Sequence, residues 1–174
     1  MTDNSQQYNL GLRAFLDGSP TPFHAVKSMT RLLEAAGFTA LDESEQWALK
    51  PSTKHFVTRN GSSIIAFVVG SESLGKSGMR LAGAHTDSPC LMVKPLPEIT
   101  KAGYFQLGVE VYGGALLNPW FDRDLSLCGR VHFRDPADSD GKMTLRQTLI
   151  DFEHAIGVVP SLAIHLDREA NTKR

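Results

Sequence analysis

The chain has 174 residues, of which 41% are hydrophobic and 21% are charged, as in an ordinary globular protein. Its 18 Lys and Arg against 19 Asp and Glu give a net charge of −1, so no basic excess favours nucleic-acid binding. No apolar run has the length of a membrane span, the polar N-terminus lacks a secretory-signal pattern, and two cysteines exclude a disulfide scaffold. We therefore expect a cytoplasmic protein with neither nucleic acid nor membrane as a partner.

The first part of the chain carries two helical patterns. Apolar residues recur at helical spacing between Tyr8 and Leu16. Thr21 before Pro22 is typical of an N-cap followed by proline in the first helical position. The apolar spacing that follows ends at Gly37, where a left-handed C-cap is expected. These patterns predict two helices, the second with defined ends.

Runs typical of β-strands follow the helices. Residues 56–59 and 63–69 flank Asn60-Gly61, which is a strong hairpin signal, and residues 79–84 indicate a further buried strand. From about residue 90 the helical signal disappears, and short strand-like runs separated by turn residues predict a small barrel or sandwich. Those runs cover residues 91–94, 105–111, 128–133, 143–150 and 162–166.

The loop from Gly70 to Ser77 matches the phosphate-binding pattern G-x-x-x-x-G-K-[ST], with Lys76 as its lysine. That pattern binds nucleotides when a helix follows it, because the N–H groups at the helix start face the phosphates. Here the next residues include two glycines and indicate a strand. A flexible loop is therefore the favoured interpretation, with nucleotide binding as the alternative.

The segment Ala84-His85-Thr86-Asp87-Ser88-Pro89 follows the strand predicted for residues 79–84. Ligands gather at the carboxyl ends of strands in α/β sheets, and imidazole is the commonest metal-binding side chain. In an extended segment Asp87 lies on the same side as His85, so its carboxylate can orient the ring. One histidine and one aspartate do not complete a metal site. A polar turn in which Asp87 caps the loop is the alternative.

Two later segments combine unusual residues. Residues 118–124 place two aromatic side chains, two acids and a base in one loop, which suits a contact surface or an ion-pair corner, while a structural loop is the simpler interpretation. Near the end of the chain His165 alternates with Ile164 and Leu166. A strand there would direct His165 to the opposite face, where it can reach a partner.

Four segments in this order resemble the N-terminal part of the aspartyl aminopeptidase family, which consists of dinuclear zinc exopeptidases. The segments are Ser19-Pro20-Thr21-Pro22-Phe23-His24-Ala25-Val26, Ala84-His85-Thr86-Asp87-Ser88-Pro89, Asn118-Pro119-Trp120-Phe121-Asp122-Arg123-Asp124-Leu125 and Ile164-His165-Leu166-Asp167-Arg168. The resemblance covers most of the chain and implies a mixed α/β fold. The start of a zinc-exopeptidase-type α/β domain is expected over residues 1–89, followed by an incomplete β-rich dimerisation domain over residues 90–174.

The resemblance also implies roles for three residues. His85 binds one of the two zinc ions of an active site, and Asp87 orients that ligand and belongs to the catalytic set. His165 projects from the β-rich domain into a neighbouring subunit's active site and helps to hold the substrate. Family members form homo-oligomers, namely dodecamers built from dimers, that release N-terminal Asp or Glu from peptides by metal-activated water attack.

Family members are considerably longer than this chain, and their remaining zinc ligands and general base follow the part that it resembles. We therefore expect a truncated chain that is inactive by itself. A second hypothesis, from a different functional class, is a non-catalytic β-rich oligomerisation module with a helical appendage.

Overall fold

The structure, a computed structural model, describes residues 4–135 and 144–169 and confirms the predicted mixed α/β fold class. The elements are α1 (Asn4–Asp17), α2 (Pro22–Ala35), β1 (Thr39–Ala40), β2 (Lys54–Arg59), β3 (Ser63–Val68), α3 (Leu74–Ser77), β4 (Cys90–Lys101), β5 (Tyr104–Tyr112), a 3₁₀ turn (Asn118–Trp120), β6 (Cys128–Asp135) and β7 (Thr144–Asp151). Strands β1, β2 and β3 form a three-stranded sheet, while β4 pairs with β5 and β6 with β7. No helix in these two ranges combines the length and apolar character needed to cross a membrane.

The described residues group into two compact units. The first unit contains the residues up to Asp87 and those from Cys128 to Ile150, and the second contains the residues between these stretches and those from Asp151 onward. The chain thus leaves the first unit after Asp87 and returns to it for β6 and β7. The division into domains over residues 1–89 and 90–174 stays a prediction.

Helix α2 begins and ends as the sequence predicts. The Thr21 hydroxyl accepts a hydrogen bond from the His24 backbone N–H at 3.3 Å and lies 2.7 Å from Nδ1 of the His24 ring. At the other end Gly37 has a φ of +80°, and the Phe38 N–H donates to the Leu33 carbonyl at 2.9 Å. This is the backbone geometry of a Schellman C-cap, so both predicted ends are confirmed.

Replacing Thr21 with alanine is expected to lower the free energy of unfolding by about 1 kcal/mol, because the first turn of α2 loses its capping oxygen. Urea denaturation followed by circular dichroism measures the change. Thr30→Ala is the matched control, since the Thr30 hydroxyl bonds only to the Lys27 carbonyl within the same helix. Equal losses in the free energy of unfolding for the two variants would show that the Thr21 cap does not stabilise the helix more than an ordinary hydroxyl contact does.

The predicted hairpin at Asn60-Gly61 is confirmed. Strands β2 and β3 pair antiparallel, and Asn60 and Gly61 have φ values of 54° and 63°, as a tight turn of type I′ requires at its two central positions. Strand β2 also supplies half of the core. The buried apolar side chains of the described residues come from α2 and β2, and they are Ala25, Val26, Phe56 and Val57.

Arg130 connects β6 to the helix and the hairpin of the first unit. Its Nη1 donates to the Asn60 carbonyl at 2.7 Å and to the Asn60 side-chain oxygen at 3.1 Å. The guanidinium also lies 3.9 Å from the centre of the Phe23 ring, which is cation–π geometry. One side chain of β6 therefore contacts both α2 and the β2–β3 turn.

In the second unit, β4 and β5 form a long antiparallel hairpin with an apolar face. Leu91 pairs with Val111 and Val93 with Val109, so these four side chains share one face of the ribbon. Val109 is 38% exposed and Val111 is 49% exposed. A two-stranded hairpin gains little stability by itself, and this face has apolar surface to contribute to a further contact.

The strand predicted for residues 79–84 is wrong, since that stretch has no regular secondary structure. A strand exists through its pairing with a neighbour, and in the sheet of the first unit β3 pairs with β2 alone among the described strands. Met79 and Leu81 are 71% and 88% exposed, so burial does not fix an extended conformation here either.

The strand predicted for residues 162–166 is also wrong, because a turn occupies residues 164–166. The N–H groups of Leu166 and Asp167 both donate to the Ala163 carbonyl, at 2.8 and 3.2 Å, and these bonds form the turn.

The predicted barrel or sandwich is likewise not formed by the described residues, since β4 to β7 make two separate two-stranded sheets. Residue 143, the first of the strand predicted over residues 143–150, lies outside the described residues.

Candidate functional site

Thr86 anchors the His85–Asp87 segment within the first unit. Its hydroxyl donates to the Ser62 carbonyl, next to the β2–β3 turn, at 2.7 Å. On either side of this anchor, Nδ1 of His85 lies 2.7 Å from the carbonyl oxygen of Asp87 and 3.2 Å from its carboxylate Oδ1. The structure therefore brings the predicted metal ligand and the predicted orienting carboxylate together.

The Asp87 carbonyl determines which nitrogen of His85 carries the hydrogen. A carbonyl oxygen only accepts hydrogen bonds, so Nδ1 must be the donor. In the neutral ring the lone pair then resides on Nε2, and a neutral imidazole with a free lone pair is the form that binds metals. The Asp87 carboxylate favours the same tautomer, in the manner of a carboxylate behind a metal-bound histidine. The side chain of His85 is 81% exposed, so its ring is accessible.

The donors in this segment fit zinc in kind. Zinc binds imidazole nitrogen and carboxylate oxygen, and a catalytic zinc takes about three protein ligands. Within residues 4–135 and 144–169, no three His, Cys, Asp or Glu side chains are grouped so that they could hold a metal ion. The segment thus offers one oriented imidazole. The metal role of His85 and the catalytic role of Asp87 stay predictions.

His165 belongs to the second unit, where it is exposed and sits in the turn that the Ala163 carbonyl closes. The alternation of His165 with Ile164 and Leu166 suggested a strand, but in the structure these three residues form a turn. Its predicted contact with substrate in a neighbouring subunit stays a prediction.

The structure supports neither nucleotide binding by the loop from Gly70 to Ser77 nor nucleophilic chemistry at a cysteine. Lys76 and Ser77 lie in the single helical turn α3, which ends at Gly78 with a φ of +67°, and no helix follows it through residue 89. The context that a phosphate-binding loop requires is therefore missing from this stretch. For thiol chemistry, burial raises the pKa of Cys90, whereas a nucleophilic cysteine needs a lowered one.

Two contacts near the predicted residues escape sequence reasoning. One is the anchor between Thr86 and Ser62, which are 24 positions apart. The other joins Asp122 to Ser161, which are 39 positions apart. The unusual composition of residues 118–124 marked that loop for attention, but no local pattern indicates which residue it contacts.

Comparisons with known proteins give a consistent result. The family model described as "Aminopeptidase I zinc metalloprotease (M18)" matches residues 15–174. A relative from Pseudomonas fluorescens strain SBW25, called "Probable M18 family aminopeptidase 2", is 60% identical over 163 residues. That alignment covers 94% of this chain and 37% of the relative, so the chain spans a little over a third of the relative's length.

Solved structures show the same partial coverage. A chain in the cryo-EM structure of the Ape4 and Nbr1 complex has a TM-score of 0.83 and 41% identity, covering 94% of this chain and 31% of that chain. The structure of the S. cerevisiae mApe1 dodecamer has a TM-score of 0.80 and 28% identity, with coverage of 94% and 37%. The described fold is therefore similar to the corresponding third of these proteins.

Proposed function

Because this chain belongs to the M18 family of aminopeptidase I zinc metalloproteases, we propose that it supplies one zinc donor and one substrate-contacting residue to an aminopeptidase. The observation that carries this proposal is the His85 ring, whose Nδ1–H donates to the Asp87 carbonyl at 2.7 Å. Nε2 is then the nitrogen available to a metal. The chain spans 37% of its Pseudomonas fluorescens relative, so the activity is proposed for a full-length version that carries this sequence.

His85 and Asp87 divide the work of the proposed metal ligand. His85 provides the donor nitrogen, and the carbonyl and carboxylate of Asp87 hold the ring in one tautomer and one orientation, which raises the basicity of the ligand. Two zinc ions per active site are proposed, and when bound they supply Lewis-acid polarisation of the scissile carbonyl and lower the pKa of a bound water. Thr86 keeps the segment in place through its bond to Ser62.

The proposed substrates are peptides with N-terminal Asp or Glu, and the proposed particle is a cytoplasmic dodecamer built from dimers. His165 is exposed in the second unit, which suits a contact with substrate bound by a neighbouring subunit. The apolar face of the β4–β5 hairpin, with Val109 38% and Val111 49% exposed, favours association between copies of the chain. A role as an oligomerisation module and a role in an enzyme are compatible for this unit.

The proposed specificity is tested with a full-length version and two substrates, aspartyl- and leucyl-p-nitroanilide, in the presence of zinc. We expect kcat/KM to favour the aspartyl substrate by a factor of about ten or more, as a charged recognition pocket provides, and EDTA to abolish turnover of both. The 174-residue chain alone is expected to show no turnover. A preference for the leucyl substrate would contradict the acidic specificity, and turnover that survives chelation would contradict the zinc mechanism.

A further inference from the structure

The side chain of Asp122 joins two distant segments of the second unit. Its Oδ1 accepts a hydrogen bond from the Ser161 backbone N–H at 2.9 Å, and its Oδ2 accepts one from the Ser161 hydroxyl at 2.5 Å. Both carboxylate oxygens therefore contact the same residue. These bonds, the hydroxyl first and the backbone N–H second, lower the pKa of Asp122, so the carboxylate is an ionised acceptor at neutral pH.

The backbone around Asp122 makes parallel connections to the same distant stretch. Its own N–H donates to the Val159 carbonyl at 2.9 Å, and the Leu125 N–H donates to the Gly157 carbonyl at 2.9 Å. Phe121 and Leu125 form isolated bridges to Val159 and Gly157 respectively. We call this set of contacts, from Phe121–Leu125 to Gly157–Ser161, the Asp122 clamp.

Asp122 holds this position at a conformational cost. Its φ is +54°, in the left-handed region that residues other than glycine rarely adopt and that is strained unless surrounding contacts hold it. Asparagine and aspartate tolerate this region better than other side chains. The residue type therefore suits the backbone angle that Asp122 adopts while its carboxylate contacts Ser161.

The clamp ends two residues before the turn that carries His165. Ser161 is its last member, and the carbonyl of Ala163 then accepts from Leu166 and Asp167 to close the turn. The turn is exposed, so packing contributes little to its position. The hydrogen bonds of Ser161 to Asp122 hold the chain four residues before His165.

We propose that Asp122 is a positioning residue for His165: by holding Ser161 it sets the place from which the His165 turn extends toward a substrate. This inference rests on the proposed role of His165 in substrate binding. Displacing a substrate-contacting residue by about 1 Å can lower the rate on the order of 100-fold. Loss of the Asp122 clamp should therefore be measurable in the rate of hydrolysis.

The test uses a zinc-loaded, full-length version with single and double substitutions. Asp122→Gly removes the carboxylate and relieves the positive φ, while Asp122→Asn keeps one acceptor and a tolerant side chain. We expect Asp122→Gly to lower kcat/KM for aspartyl-p-nitroanilide about tenfold or more, because the substrate contact of His165 is misplaced, and Asp122→Asn to retain most of the activity. Asp151→Ala is the matched control, since Asp151 accepts a hydrogen bond from the Glu153 N–H elsewhere in the same unit.

A double-substitution cycle separates positioning from general stability. If Asp122 acts through His165, both substitutions remove the same contact with the substrate. Adding Asp122→Gly to His165→Phe then lowers kcat/KM by less than about twofold further. Asp122→Gly should also change kcat and KM in the same proportion as His165→Phe. Two outcomes would overturn the positioning role of Asp122 and leave the proposed function standing: additive losses of kcat/KM in the double variant, or full activity of Asp122→Gly while His165→Phe loses activity. Full activity of His165→Phe would overturn the positioning role of Asp122 and also the proposed substrate contact of His165.

The hydroxyl of Ser161 and the position of the His165 turn provide two further tests, the second of which does not depend on activity. Ser161→Ala removes only the hydroxyl bond, and we expect a smaller loss than for Asp122→Gly, with no further loss when the two are combined. Cryo-EM maps of the assembled Asp122→Gly and unsubstituted particles should show residues 163–167 displaced or weakened while the β4–β5 hairpin is unchanged. An undisplaced turn would contradict the inference even in a preparation that hydrolyses nothing.

Discussion

Replacing His85 with alanine in a full-length version is expected to remove bound zinc and hydrolysis together. The substitution deletes the Nε2 donor and leaves a coordination position of the zinc empty. Loss of a residue that only orients a metal ligand costs about 10–100-fold in metal affinity or activity. We expect the loss of kcat/KM to exceed that range. Zinc content measured by atomic emission on the purified particle, beside the rate, reports both effects.

His154→Ala is the matched control for this substitution. His154 is an exposed histidine whose ring is tilted by 53° against the Phe152 ring at a centroid distance of 5.9 Å, and it lies outside the His85 segment. We expect this variant to keep its zinc and its rate. A His85→Ala particle with unchanged zinc content and unchanged rate would show that His85 is not a ligand.

The second large effect concerns His165 and the neighbouring subunit. His165→Phe is expected to lower kcat/KM of the assembled particle strongly, because the exposed imidazole is the proposed substrate contact. If that contact is made across a subunit boundary, a particle assembled from His85→Ala and His165→Phe chains in equal amounts recovers activity. A productive site needs His85 from a His165→Phe chain and His165 from a neighbouring His85→Ala chain. Each kind makes up about half of the chains, so random mixing gives about a quarter of the unsubstituted rate.

Co-expression of the two variants with different affinity tags, followed by sequential capture, isolates the mixed particle for the assay. Light scattering confirms that each variant alone assembles to the same size. A mixed particle as inactive as its parents would place His165 and His85 of a single chain in one active site. That outcome would contradict the contact between subunits.

The features that the sequence predicts correctly are those fixed by neighbours along the chain. Thr21 caps the helix that begins beside it, Gly37 takes the positive φ that ends that helix, and Asn60-Gly61 turns the hairpin. Each requires only a few adjacent residues. The spacing of two residues between His85 and Asp87 also predicts their proximity, which the structure confirms, although it has a bend at Thr86 instead of an extended segment.

The features that the sequence does not predict depend on distant partners. Residues 79–84 have the composition of a strand and yet are irregular, because a strand needs a neighbour to pair with. The contact of Asp122 with Ser161 spans 39 positions, and nothing in either segment indicates the other. Periodicity also misled at His165, where apolar neighbours on both sides occur within a turn instead of a strand.

The most direct measurement is a cryo-EM structure of a zinc-loaded full-length version at a resolution that shows the His85 ring. We expect zinc density about 2.0–2.1 Å from Nε2 of His85, with Nδ1 still donating to the Asp87 carbonyl. Zinc bound at Nδ1, or a complete zinc site in which His85 takes no part, would contradict it.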